Sequence, residues 1–417
     1  MAKRKPVELL VIGAGSRGAG YATYAQRFPD RLRIAGVAEP RDWYRENLVR
    51  LYGIPHENAV RDWRELADRP RLADGVIIAT QDAMHVEPTV AFAKKKYDIL
   101  LEKPMAPDET GCRRIVKAVM DHGVTFAVCH VMRYTVYTRK LKELLAAGAV
   151  GEIVSIQHME GVEFWHQAHS FVRGNWRNEK ESSPMLLAKS CHDLDWLRYL
   201  MGRRCVRVAS FGTLFHFRKE NQPPGAAARC LDCKVAKTCP YDAGRFYLGM
   251  VARGAKGWPV NVLTPVVTRA NVLEALRKGP YGRCVYACDN DVVDHQVVAM
   301  SFEGGQTASF TMTAFGSGRK TRIFGTRGQI YGDGAVIEHE DFLTRKTKTY
   351  DVNKRDPSIL GGHGGGDFGI MDAFVTALAT GDRSRILTGP IETLETHLSV
   401  FAAEKARRTN RVVEVVV

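Results

Sequence analysis

The chain has 417 residues, of which 45% are hydrophobic and 25% charged, so it can bury a large core and is expected to form two domains. This composition excludes disorder, collagen and coiled coil as descriptions of the whole chain. Lysine and arginine total 60 against 46 acidic residues, a formal net charge of +14 that would suit nucleic acid or an anionic small molecule. Because the basic residues form no cluster of about five or six, we predict a diffusely basic surface and no nucleic-acid partner.

The apolar runs and the cysteines bear on the compartment. No stretch approaches the roughly 18 apolar residues of a membrane-spanning helix. The run from Leu9 to Ile12 is too short for a signal peptide and is followed at once by glycines, so it is expected to be a buried strand. Nine cysteines are too sparse for a secreted disulfide scaffold. We therefore expect a cytoplasmic protein without membrane contact.

From Val7 to about Val128, short apolar runs alternate with segments of helical spacing. Leu32 to Ala38 is typical of a buried strand, and Gly111 to His122 is typical of an amphipathic helix. About five such repeats predict an α/β domain with a doubly wound parallel sheet of the Rossmann type. We place this dinucleotide-binding domain at residues 1–133.

The second part of the chain has a different pattern. After a helix at about Val136 to Ala147, alternating stretches such as Thr307 to Phe315 predict an α+β domain, residues 134–417, built on a large, mostly antiparallel open sheet. A polar, cysteine-bearing insertion lies at about 219–258. Two helices near the C-terminus are expected to pack back on the first domain.

A glycine-rich loop follows the first predicted strand directly and opens a segment of helical spacing: Gly13-Ala14-Gly15-Ser16-Arg17-Gly18. In this context the three glycines permit a tight turn, close approach of the backbone to a pyrophosphate, and close packing of helix on strand. Glu39 ends the next strand, where a carboxylate can accept hydrogen bonds from both ribose hydroxyls of NAD, while Arg41 would favour NADP. We predict NAD as the preferred cofactor, with NADP as the alternative. The predicted ligands from this region are Gly13, Gly15, Ser16, Arg17, Gly18 and Glu39.

A second motif lies at the end of a later predicted strand, where Asp98 to Leu101 runs into Glu102-Lys103-Pro104. Pro104 biases Lys103 to an extended conformation, which presents its ammonium group at the carboxyl edge of the sheet, where open α/β folds bind ligands. With the glycine loop, this motif resembles the glucose-fructose oxidoreductase / inositol dehydrogenase / MocA family. The resemblance covers nearly the whole chain and includes Thr80, Gln81, Asp82 and His85 after the preceding strand, His192-Asp193-Leu194-Asp195, and Gly325-Thr326-Arg327-Gly328.

This resemblance implies NAD(P)-linked oxidation of a sugar or cyclitol. It also implies a homo-oligomer, a dimer or tetramer, because the open sheet of the second domain often forms oligomers in that family. The further cofactor-binding residues that it implies are Thr80, Gln81, Asp82, His85, Glu102 and Lys103.

The predicted site in the second domain centres on His192. Ser190 with Asp193 three residues later suggests a capping box, which would place His192 in the first turn of a helix, where the helix dipole disfavours an imidazolium. A neutral histidine there could accept a substrate proton. Many members of the family carry an aspartate four residues before this histidine, and here that position is Ala188. Catalytic roles are therefore predicted for Lys103, His192 and Lys189.

Polar and aromatic residues elsewhere in the second domain are candidates for substrate binding. Arginine forks suit carboxylate, sulfonate or phosphate, so the cluster upstream of His192 could clamp a carbohydrate or an anionic group. A glycine-rich stretch, 361–367, predicts a mobile loop that brings His363 or Asp367 over the substrate, with a plain flexible linker as the alternative. The predicted substrate-binding residues are His169, Arg173, Trp176, Lys189 and His363.

The insertion carries closely spaced cysteines that match the spacing of zinc ligands. A structural zinc ion is predicted, with free buried thiols as the competing interpretation. The predicted ligands are Cys230, Cys233, Cys239 and either Cys284 or Cys288.

Three functions remain open at this level. The first is an NAD-dependent oxidoreductase acting on a sugar, cyclitol or glycoside by hydride transfer. The second is an NAD-dependent glycosidase, which oxidises the sugar at C3, eliminates the aglycone, adds water and reduces again. The third is a non-catalytic NAD-binding regulator, since a fold does not dictate chemistry.

Overall fold

A computed structural model describes residues 5–352 and 363–416, apart from the side chain of His363. The first sheet has six parallel strands in the order β3-β2-β1-β4-β5-β6. The central strands are buried on both faces, which explains their continuous apolar sequences. Its strands are β1 (Val7–Ile12), β2 (Leu32–Ala38), β3 (Ala59–Val60), β4 (Gly75–Ile78), β5 (Asp98–Leu101) and β6 (Phe126–Val128).

Helices cover both faces of this sheet, as its doubly wound order requires. Helix α5 shows why these segments are helical: Asp108 caps its N-terminus by accepting from the Gly111 amide, and Gly123 ends it in the left-handed conformation. The helices of the first domain are α1 (Ser16–Arg27), α2 (Asp42–Tyr52), α3 (Trp63–Ala67), α4 (Val86–Lys94) and α5 (Glu109–His122).

The second sheet has nine strands in the order β14-β13-β12-β11-β7-β10-β9-β8-β15, and among them only β7 and β10 pair in parallel. One face packs on helices, and the other is open, as the alternating burial of β8, β9 and β10 shows. Its strands are β7 (Ile153–Val162), β8 (Cys205–Thr213), β9 (His295–Phe302), β10 (Thr307–Thr313), β11 (Ser317–Gly325), β12 (Gly328–Gly332), β13 (Val336–Asp341), β14 (Lys346–Asp351) and β15 (Val413–Glu414). The predicted fold class is confirmed.

The remaining helices join the two sheets. Helix α12 packs on the first domain, where Asp372 accepts hydrogen bonds from Tyr24 and Arg31, and α13 lies between the two cores. The non-strand segment between β8 and β9 spans 214–294, longer than the predicted insertion, and contains its own apolar core. These helices are α6 (Val136–Ala146), α7 (Phe164–His166), α8 (Met185–Ala188), α9 (Cys191–Met201), α10 (Gly249–Ala252), α11 (Arg269–Lys278), α12 (Gly366–Thr380) and α13 (Pro390–Thr409).

Candidate active site

The glycine loop between β1 and α1 has the geometry that the sequence predicted. Gly13 has a φ of +89°, and a Cβ there would lie 2.6 Å from the Ala79 carbonyl oxygen. A Cβ on Gly18 would lie 1.9 Å from the Gly13 oxygen, so only glycine allows the helix to pack this close to the turn. At Gly15, by contrast, the nearest atom to a Cβ is 3.6 Å away, which leaves room for a ligand at the N-terminus of α1, which begins at Ser16.

Glu39 lies at the end of β2, beside this loop. Its carboxylate accepts from the Ala14 amide at 2.9 Å and from two guanidinium nitrogens of Arg41 at 2.7 and 2.9 Å. Burial alone would raise the pKa of Glu39, but the hydrogen bonds from Arg41 outweigh it and lower the pKa. Arg41 in turn stacks on Tyr44 at 4.1 Å. The two residues expected to oppose each other in cofactor choice therefore form one ion pair.

Arg17 does not point freely into the cofactor region. It donates to Glu102 at 2.6 Å and to Asp367 at 2.7 and 3.1 Å, and so connects the glycine loop to β5 and to α12. Burial alone would raise the pKa of the Glu102 carboxyl, but the charges of Arg17 and Lys103 lower it. Arg17 thus braces the first domain, a role its position in the glycine motif did not reveal.

The end of β4 supplies the next side chains of the cleft. His85 bridges two backbone carbonyls, with Nδ1 2.8 Å from the Pro104 oxygen and Nε2 3.2 Å from the Thr80 oxygen. Gln81 begins the short turn that carries Asp82. Asp82 accepts from Ser183 Oγ at 2.9 Å, a contact between the two domains. Thr80 Oγ1 is buried and has no hydrogen-bond partner within the described part of the chain.

Lys103 lies where the two domains meet. Its Nζ donates to the Ala188 carbonyl oxygen at 2.6 Å, which places the ammonium group at the last turn before His192. The resemblance implied an aspartate at position 188, and here the backbone oxygen of Ala188 accepts from the lysine. The structure therefore places Lys103 Nζ beside the backbone of the segment that carries Lys189 and His192, and the catalytic roles of the three residues stay predictions.

Helix α9 begins at Cys191, so His192 lies in its first turn, as predicted. The predicted capping box does not form: Ser190 makes no side-chain cap, and its Oγ is buried without a partner in the described residues. The reason is that the carboxylate of Asp193 faces the second sheet, where it bonds to Arg319 and His158.

Lys189 and Asp193 belong to a buried polar network that the sequence analysis missed. Lys189 Nζ lies 2.8 Å from Glu160, and Arg319 bridges Glu160 and Asp193 at 3.0 and 2.6 Å. His158 closes the network, 3.0 Å from Asp193. Burial opposes ionisation of Asp193, but the charge of Arg319 and the hydrogen bond of His158 hold its pKa well below the ordinary range. Strand alternation was the available signal, because Glu160 and His158 interrupt the inward-facing apolar positions of β7.

Arg173 and His169 serve the insertion and do not form the predicted substrate clamp. Arg173 is 3% exposed and donates to the carbonyl oxygens of Arg283 and Tyr241, at 2.7 and 2.8 Å. His169 bonds to Tyr247 at 2.7 Å, and burial, followed by the charge of Arg173, lowers its pKa to about 3. Both side chains already have hydrogen-bond partners within the second domain, so the predicted clamp of substrate by Arg173 and His169 is corrected.

Two other predicted substrate-binding residues, Trp176 and His363, belong to separate segments of the second domain. Trp176 is 39% exposed and packs on Phe171. His363 begins a short turn before α12, but its side chain, like Gly361 and Gly362, lies outside the described residues. Asp367, the other candidate from this loop, bonds to Arg17.

The cysteines of the insertion converge without forming a metal centre. Cys230, Cys233, Cys239 and Cys284 line one small cavity, while the fifth, Cys288, donates to the Cys284 carbonyl at 3.2 Å. Across residues 5–352 and 363–416, no three or more His, Cys, Asp or Glu side chains are arranged to hold a metal ion. The predicted zinc site is therefore not supported. All nine thiols are free, and that of Cys230 lies 3.4 Å from Arg173.

Both parts of the chain match models of one protein family. Residues 7–130 match the NAD-binding Rossmann domain, and residues 142–415 the C-terminal α/β domain, of one oxidoreductase family. The chain belongs to the Gfo/Idh/MocA family. As a member of this family it is an enzyme with an NAD-binding domain, and the observed loop fits that cofactor: Gly15 leaves space before α1, and the unpartnered Thr80 hydroxyl lies at the same sheet edge.

Several relatives within the Gfo/Idh/MocA family are informative. YteT of Bacillus subtilis is 25% identical over 367 residues, 82% of each chain. The 2,7-anhydro-N-acetylneuraminate hydratase of Escherichia coli K12 is 30% identical over 202 residues, 48% of this chain and 51% of that protein, so the match spans about half its length. Levoglucosan dehydrogenase, in complex with NADH and L-sorbose, has the same fold, with a TM-score of 0.72, 20% identity and 99% of each chain covered.

No helix in the described part of the chain is long and apolar enough to cross a membrane.

Proposed function

We propose that this enzyme oxidises a carbinol group of a sugar, cyclitol or glycoside, with transfer of a hydride to NAD. The observation that carries the proposal is the hydrogen bond of 2.6 Å between Lys103 Nζ and the Ala188 oxygen. It joins the carboxyl edge of the dinucleotide-binding sheet to the start of α9. The reacting carbon would therefore lie where Lys103 and His192 converge.

The residues have distinct roles in this proposal. NAD supplies the hydride acceptor. Lys103 stabilises the developing alkoxide, because an ammonium group at a partly buried position strengthens a charge-assisted hydrogen bond. His192, 4% exposed, accepts the hydroxyl proton. Lys189, held by Glu160 at 2.8 Å, orients the neighbouring hydroxyl groups.

The test is a substrate screen. Purified enzyme with NAD is mixed with free sugars, cyclitols and anhydro sugars, and absorbance of the reduced nicotinamide is followed. We expect one class of compound to give NADH in step with product. Activity that persists unchanged in Lys103→Ala would contradict the proposed site.

A second candidate function is an oxidoreductive glycosidase or hydratase. The similarity to 2,7-anhydro-N-acetylneuraminate hydratase favours it, as does Ala188, which removes the family's carboxylate beside His192. In this reaction the hydride removed from C3 returns to the same intermediate after loss of the C2 proton, elimination of the aglycone and addition of water. No net NADH then accumulates.

Heavy water separates the two reactions. A dehydrogenase accumulates NADH and leaves C2 unlabelled. The glycosidase releases aglycone without net NADH and carries deuterium at C2 of the released sugar. We expect the first pattern, and C2 deuteration without NADH would replace it by the second.

Cofactor preference, oligomeric state and compartment complete the proposal. We infer that NAD is preferred over NADP, because the Glu39 carboxylate would repel a 2′-phosphate while its own Arg41 partner is already engaged.

The open sheet face exposes Phe211 and Val297, which are paired on adjacent strands, and a second copy of the chain would cover them. Light scattering of Phe211→Glu against wild type tests the oligomer, with a shift to monomer expected. Nine free thiols agree with the reducing cytoplasm.

A further inference from the structure

A row of three imidazoles runs from His192 into the interior of the protein. The ring of His130 lies 5.7 Å from that of His192, centroid to centroid, in an edge-to-face arrangement of 81°. On its other side His130 lies 5.6 Å from His397. These histidines come from the end of β6, the first turn of α9 and the middle of α13, so the row crosses the junction of both domains.

The inner end of the row is rigid. His397 Nδ1 lies 2.8 Å from the Thr393 oxygen, and its Nε2 accepts from the Met105 amide at 2.9 Å. The two bonds fix one neutral tautomer, with the proton on Nδ1. Met105 follows Lys103 and Pro104 directly, so this anchor is attached to the segment that carries the candidate catalytic lysine.

His130 is the unusual member of the row. It is completely buried, and neither of its ring nitrogens has a hydrogen-bond partner among the described residues. The charged groups that affect its pKa are the mutually bonded pair Asp195 and Arg133, together with Lys103 and Glu102. Burial lowers the pKa of His130 to about 4, so the ring is neutral at physiological pH.

Packing alone does not account for a histidine at this position. Leaving buried polar atoms without partners costs stability, and phenylalanine would fill comparable space without that cost. The feature that sets this ring apart is its contact with His192, 5.7 Å away between ring centroids. A neutral ring is suited to this place, because a second positive charge beside Lys103 would disfavour protonation of His192 during the reaction.

We propose that His130 is a positioning residue, which holds the imidazole of His192 in the orientation required for proton transfer and is itself held by His397. This inference deepens the proposed function and rests on the role of His192 in it. His130 touches His192 and does not need to touch the substrate.

The closing experiment is His130→Phe, with His56→Phe at an exposed position as the matched control. Nitrogen-15 spectra of histidine-labelled protein, with His192 assigned from the His192→Asn variant, report the tautomer of His192 without any substrate. We expect His192 to change from one tautomer to a mixture in His130→Phe and to stay unchanged in the control.

Kinetics provide the second readout. We expect kcat of His130→Phe to fall roughly 10- to 100-fold, the effect of misplacing a reacting group by about 1 Å, with KM and NAD affinity unchanged. His130→Gln also lacks the imidazole ring, so it should show the same loss of kcat, and it replaces the phenylalanine variant if that protein does not fold. Unchanged His192 signals in the substituted protein would overturn the proposal. If wild type oxidises none of the sugars tested, only the proposed function fails, because the spectra still report on His130.

Discussion

The first domain presents its functional groups at the ends of parallel strands, whereas the second assembles them from elements far apart in the chain. Glu39, Thr80 and Lys103 follow β2, β4 and β5, and a parallel sheet brings all such ends to one edge. In the second domain Lys189 meets Glu160 and Arg319, which come from β7 and β11. The first arrangement depends on strand order alone, while the second depends on the register of an antiparallel sheet.

The two regions also differ in how their charges are balanced. At the sheet edge of the first domain, Glu39 and Glu102 each have an arginine partner that is partly exposed. In the second domain Asp193 and Asp195 are fully buried and are paired with Arg319 and Arg133. The charges of the first region are partly open to solvent, whereas those of the second form a buried framework on the helix that carries His192.

The largest expected effect is on turnover. We expect Lys103→Ala to keep its fold and its NAD affinity but to lose about 10²- to 10⁴-fold in kcat/KM, the usual contribution of a group acting in the transition state. Steady-state kinetics and calorimetric NAD titration measure both quantities. Lys140→Ala, which removes an exposed lysine paired with Glu143, is the control and should behave as wild type.

The buried framework should dominate stability. Asp195→Asn leaves the guanidinium of Arg133 without its charged partner in the interior, and we expect the free energy of unfolding to fall by about 3–5 kcal/mol. Glu303→Gln breaks the exposed pair with Arg204 and should lower the free energy of unfolding far less, because solvent screens this pair. Urea unfolding of both variants measures the difference. Equal losses would show that the two kinds of pair are not distinct.

Cofactor affinity should respond to the end of β2. We expect Glu39→Gln to weaken NAD binding roughly 10- to 100-fold, because hydrogen bonds to a charged group contribute about 1.5–3 kcal/mol. NADP binding should weaken less or improve. Calorimetric titration with NAD and NADP measures both affinities. Tighter NADP binding by the wild type would contradict the prediction that Glu39 selects NAD.

The last prediction is a pH dependence of stability. Burial lowers the pKa of His130 to about 4 and of His397 to about 3, against about 6.5 in the unfolded chain. Below pH 6.5 the unfolded chain therefore binds more protons, so the free energy of unfolding falls as the pH falls, by about 1.4 kcal/mol per pH unit for each such histidine. The loss continues down to the folded pKa of each residue.

His130→Phe isolates one of these contributions. Between pH 6 and 5 the free energy of unfolding of this variant should depend on pH less steeply than that of wild type, by about 1.4 kcal/mol per pH unit, the slope for one bound proton. Denaturant titrations over this range provide the measurement. An unchanged slope would mean that the protonation state of His130 is the same in the folded and the unfolded chain.

The sequence by itself determined the first domain almost completely. Leu32–Ala38 was predicted to the residue, and the glycine loop, Glu39 and Lys103 lie where the motifs placed them, because these groups depend on local turns and on strand ends. It also identified the helix that carries His192, from spacing and a terminal glycine. Such features are encoded within a few residues of each other.

Only the tertiary structure decided how those residues are paired. Arg17 faces Glu102 and Asp367, 85 and 350 residues away, and Arg173 anchors the insertion instead of a substrate. The network around Glu160 and the histidine row through His130 also join residues from separate elements. Sheet register and domain packing determine which side chains become partners. A single sequence shows which residues are charged, but not which opposite charge lies beside each of them in the folded protein.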